Sequence, residues 1–90
     1  MNRSEYLLAC LAEECVEVAH RSIKAQRFGM DEVQPGQSLN NRERILHELN
    51  DLWAVVEMLD LCKVDRTAVE AKKKKLLAFM DYSRSIGTLT

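Results

Sequence analysis

Apolar side chains recur along this chain with a helical period and are interrupted in only two places. In the first run Leu7, Leu11, Cys15, Val18, Ser22 and Ala25 fall on one stripe at about 100° per residue, flanked by Leu8 and Ala19. Asn2 and Glu5 supply an N-x-x-E capping box and Gly29 a stop, which predicts a helix reaching Phe28. A second box, Asn40 with Glu43, opens another helix extending to about Cys62, with Ile45, Leu49, Leu52, Val56 and Leu59 as its stripe. Leu46 and Trp53 lie to one side of that stripe and mark a candidate subunit interface. Asp65 caps the third helix, Val64 and Val69 form a hydrophobic staple across the cap, and Ala68, Val69, Leu76, Phe79, Met80 and Ile86 supply the apolar face.

Between the first two helices, residues 29–40 ("GMDEVQPGQSLN") show no period and contain Pro35 and Gly36. Such a loop serves equally as a lid or as a plain connection. The expected architecture is all-α: one domain over residues 1–90, with three main helices in an antiparallel bundle. A chain of 90 residues is close to the size at which a lone core becomes marginal, so a four-helix-type core completed by oligomerisation is expected.

Charge sharpens this picture. The formal net charge of −1 gives no general attraction to a nucleic acid polymer or an anionic membrane. Its distribution is uneven, however: residues 1–60 carry eleven acidic against six basic side chains, and residues 61–90 three against seven. The two parts are suited to attract each other, or to hold a cation and an anion together. Cys10, Cys15 and Cys62 lack zinc-type spacing in a chain without a signal-peptide pattern, and read as reduced core thiols of a cytoplasmic protein. No apolar run is long enough to span a bilayer.

The chemistry lies beside the stripes. Glu13, Glu14 and Glu17 share a sector about 100° wide on the first helix, with Glu14 bordering the apolar stripe and Glu13 furthest toward solvent. Glu48 and Asp51, three residues apart, repeat the device on the second helix. Antiparallel packing lets the two acidic edges meet, and carboxylates at that range raise one another's pKa unless a cation joins them. An all-oxygen donor set suits Mg²⁺, with Mn²⁺ as a substitute, better than Zn²⁺ or Cu²⁺. Glu17 and His20 spell the E-x-x-H of di-iron bundles, but His20 falls on the far side of the helix and Asp51 stands where a second histidine would be needed. His47 is likewise off the core stripe. Arg21 and Lys24 continue the acidic edge one and two turns on. Within "AKKKKLLAF", Lys72 projects from the middle of the apolar face with Lys73 and Lys75 beside it, so it either snorkels to water or meets an anion inside the bundle.

The pattern E-E-x-x-E (Glu13, Glu14, Glu17) followed by E-x-x-D (Glu48, Asp51) resembles that of the all-α nucleoside triphosphate pyrophosphohydrolases of the MazG type. The similarity covers roughly two thirds of the chain. It implies a helical bundle assembled as a homodimer or homotetramer, with Mg²⁺ on Glu14, Glu17, Glu48 and Asp51. The reaction implied is cleavage of a (deoxy)nucleoside triphosphate to the monophosphate and pyrophosphate. Glu13 would be a further ligand or would orient the attacking water, Glu13 or Glu17 would receive its proton, and Lys72 and Lys75 match the basic residues that the family places on phosphates. Arg21 and Lys24, by their place on the acidic edge, either meet the phosphates as well or form intrahelical ion pairs such as Glu17 with Arg21. A non-catalytic helical module, binding a nucleotide or a partner through Leu46 and Trp53, is the alternative.

Overall fold

In the computed structural model, which describes all of residues 1–90, three α-helices account for the regular structure: α1 (Arg3–Phe28), α2 (Asn41–Met58) and α3 (Arg66–Ser85). There are no strands beyond an isolated bridge between Val33 and Asn40. Both capping boxes form. The Asn2 and Asn40 side chains accept from the backbone N–H of Glu5 and Glu43, and each glutamate reaches back to its cap. The Asp65 side chain accepts from the Ala68 N–H at the start of α3.

α1 and α2 form an antiparallel hairpin. The Arg3 guanidinium donates to the Met58 carbonyl at one end (3.5 Å), while Asn41 Nδ2 donates to the Gly29 carbonyl at the other (2.8 Å). Asn41 is 1% exposed and its amide also donates to Glu32 Oε1 at 3.0 Å. Backbone bonds from Asn41 to Glu32 (3.1 Å) and from Arg42 to Met30 (2.9 Å), with Arg44 on Gln34 Oε1 (3.0 Å), tie the loop to the first turn of α2. These bonds tie residues 29–34 to the start of α2 at the end of the hairpin.

Three details depart from the sequence pattern. First, α2 stops at Met58 rather than near Cys62. Asp60 takes a left-handed conformation (φ 62°), Leu61 N–H bonds to Val56 O (3.0 Å) and Asp60 N–H to Glu57 O (3.0 Å). This is a Schellman ending with aspartate where glycine is usual, and aspartate is one of the few L-residues that tolerate the position. Second, the packed faces follow most of the apolar stripes, with Leu7, Leu11, Val18, Ala25, Ile45, Leu52, Val56 and Leu59 buried or half-buried, but they take in polar neighbours as well. Cys15, Ser22 and Leu49 are exposed, whereas Glu14, Glu17 and Arg21 on α1 and Arg44 and Glu48 on α2 are half-buried along the seam. The cysteines are free, but Cys15 and Cys62 are exposed and Cys10 is half-buried, so none is a core thiol.

Third, one chain does not make a three-helix bundle. No Cα of α3 lies within 8 Å of a Cα of α1 or α2. The radius of gyration is 16.5 Å and the extents are 49 × 41 × 21 Å, against about 12 Å for a compact chain of this length. Only Leu7 and Ala25 are fully buried apolar residues. A core of that size is small against the entropy of ordering the chain.

Candidate functional site

Because α1 and α2 run antiparallel with their acidic edges at mid-length, Glu14 meets Glu48 and Asp51 across the seam. One carboxylate oxygen from each lies within 4.8 Å of the others. Glu14 and Glu48 are half-buried and Asp51 is exposed, so the group opens to solvent on the α2 side. Loss of hydration at the seam pushes the Glu14 pKa above its ordinary value, and the negative charges of Asp51, Glu48, Glu13 and Glu17 add to the shift in that order. Water still reaches Glu14 and screens these repulsions. The direction of the shift favours the protonated form of Glu14.

The donor set fits a hard divalent ion. Oxygens around Mg²⁺ at about 2.1 Å stand roughly 3 Å apart as neighbours and roughly 4.2 Å apart across the octahedron. The three oxygens, all within 4.8 Å of one another, are of that order of spacing. No nitrogen or sulfur ligand is near at hand, because His20, His47 and Cys15 are all exposed and lie outside the cluster.

The remaining candidate residues divide between two places. Glu17 is one turn along α1 from the cluster, half-buried but not part of the close triad, and Glu13 beside it is exposed. Arg21 and Lys24 follow on the same edge and are also half-buried. The ion pairs of the chain join Arg42 to Asp31, Arg66 and Lys73 to Glu70, and Arg84 to Asp81. Arg21 therefore does not neutralise Glu17, and its buried Nε has no hydrogen-bond partner. Lys24 Nζ lies 5.8 Å from the Phe28 ring centre. Lys72 and Lys75 are exposed on α3, away from the carboxylates of their own chain, with Lys75 Nζ 5.7 Å from the Phe79 ring centre.

Asn41 escaped the sequence reading. The signal was an asparagine immediately after an asparagine cap, which composition alone does not separate from ordinary helix-start chemistry. No protein family, curated protein or solved structure matches the chain.

Proposed function

We propose that the α1–α2 hairpin carries a Mg²⁺-dependent nucleoside triphosphate pyrophosphohydrolase site. The observation behind this reading is the convergence of Glu14, Glu48 and Asp51 from two helices, in the order of the E-E-x-x-E and E-x-x-D signature. In this role the three carboxylates, with Glu17, hold the cation (Mg²⁺, or Mn²⁺ in its place). The bound cation supplies charge neutralisation at the phosphate oxygens. Arg21 and Lys24 receive the phosphate chain one and two turns further along α1. Glu13 or Glu17 accepts the proton of a water whose oxygen bonds to the α-phosphorus. The bond from that phosphorus to the oxygen bridging toward the β-phosphorus breaks in line, and pyrophosphate leaves with the electron pair.

Assembly as a homodimer or homotetramer belongs to this reading. By helical phase Leu8, Cys15, Ala19 and Ile23 of α1 and Leu46, Leu49 and Trp53 of α2 share the side of the hairpin opposite Asp51. The large residues of that set are substantially exposed, Trp53 at 43%. A second hairpin placed on this face completes a four-helix core. A non-catalytic interaction module would use the same apolar face without needing the carboxylates.

A panel of NTPs and dNTPs with Mg²⁺, followed by pyrophosphate release, tests the proposal. Turnover lost by at least about 100-fold in Glu48→Gln, with helicity retained, is the expected result. Absence of turnover on every nucleotide contradicts the enzyme and favours the module.

A further inference from the structure

We infer that α3 docks on the acidic side of the hairpin of a second copy of this chain, delivering Lys72 and Lys75 in trans to Glu14, Glu48 and Asp51. The inference rests on the reading of the carboxylates as a phosphate-processing site, and it adds which subunit supplies the cations. Its starting point is an unpartnered helix. Leu76, Phe79 and Met80 are 47%, 53% and 39% exposed on one side of α3, and no part of α3 packs on its own hairpin. The Schellman ending of α2 and the short connection 59–65 point α3 away from it, and the connection itself exposes Leu61 and Val64. A short hinge between an intact hairpin and a bare amphipathic helix is the geometry from which protomers exchange an element.

Charge complementarity selects the occupant. α3 carries six basic side chains against two acidic ones, while residues 1–60 carry eleven acidic against six basic. By helical phase Lys72 stands at the centre of the apolar side of α3, between Val69 and Leu76. A lysine there is poorly placed for a helix lying in a lipid surface, which keeps its cations on the polar side, and the acidic hairpin would repel anionic lipid. It is well placed opposite half-buried carboxylates.

The apolar ground matches as well. Tyr6 and Met58, both exposed, lie by phase on the Asp51 side of the hairpin, toward its open end. They are about two turns from Glu14 and Asp51, the interval that separates Lys72 from Phe79 and Met80. At roughly 80 Å² of apolar surface for each half-exposed large side chain, Leu76, Phe79 and Met80 offer about 240 Å². Reciprocal docking against matching hairpin surfaces buries about 1,000 Å² of apolar surface in all, the size at which specific interfaces begin.

The test mixes isotopically light and heavy full-length chains, unfolded and refolded together, and joins lysines to contacting carboxylates with a carbodiimide. The expected products are amides from Lys72 or Lys75 to Glu14, Glu17, Glu48 or Asp51 in which one peptide is light and the other heavy, from a species that light scattering shows to be at least a dimer. A monomer at all concentrations, a monomer captured by phosphatidylserine vesicles, an oligomer linking these residues only within one isotope, or an oligomer with no such link would each overturn the inference. Activity gives a second readout. Asp51→Asn and Lys72→Ala, each inactive alone, should recover about a quarter of wild-type turnover when refolded together, because one of the two sites in each mixed dimer is then intact. No recovery from an active wild type would overturn exchange. Mixed-isotope links in a protein that turns over no nucleotide would leave the exchange standing and remove the enzymatic reading.

Discussion

Glu14 concentrates the chemistry of this chain in one side chain. Its folded-state pKa is raised above the ordinary 4.5, so the metal-free fold binds that proton more tightly than the unfolded chain does. Stability present below the ordinary value is therefore lost as pH rises through the raised one. Thermal denaturation of metal-free protein should show stability falling from about pH 4.5 upward, and Glu14→Gln should flatten that slope and raise the midpoint at neutral pH. A steeper fall in the variant would contradict the account. Asn41 is the structural counterpart. Asn41→Ala leaves the Gly29 carbonyl and the Glu32 carboxylate without their donor, and chemical denaturation should register a loss of about 1–3 kcal/mol. The acidic residues were legible in the sequence because two short spacings sufficed. Asn41 was not, because its importance comes from burial beneath a loop whose path no local pattern encodes.

At the scale of elements, cap chemistry carried most of the information. The Asn2, Asn40 and Asp65 caps placed three helix starts, since a side-chain oxygen three residues before a free N–H is a local matter. The end of α2 was misplaced because apolar residues continue through Leu61 while the backbone turns at Asp60. Replacing Asp60 with valine, which resists positive φ, should cost about 1–2 kcal/mol in thermal or urea unfolding. The make-up of the seam has a similar origin. Apolar periodicity placed most of the stripes correctly but also assigned Cys15 and Leu49 inward, where the seam instead takes in Glu14 and Glu48. Hydropathy of one chain cannot distinguish a face that meets its own hairpin partner from a face kept for another molecule.

The whole molecule is an open shape with extensive exposed apolar surface. The uneven charge along the chain is compatible with attraction between its two parts, which do not meet within one chain. No helix is long and apolar enough to cross a membrane, and the proposal gives the bare faces to contacts with further copies of the chain. Trp53→Glu should lower the mass seen by sedimentation, because a charge placed at the centre of an apolar interface is costly to desolvate. An unchanged mass would move the interface elsewhere. Beneath these contacts lies one claim, that the carboxylates of α1 and α2 tolerate one another by sharing a divalent cation. Titration of Mn²⁺ followed by its paramagnetic resonance signal tests this most directly. The account predicts saturable binding to the wild-type protein, weakened at least about tenfold in Asp51→Asn, whereas equal binding to both proteins, or none to either, would contradict it.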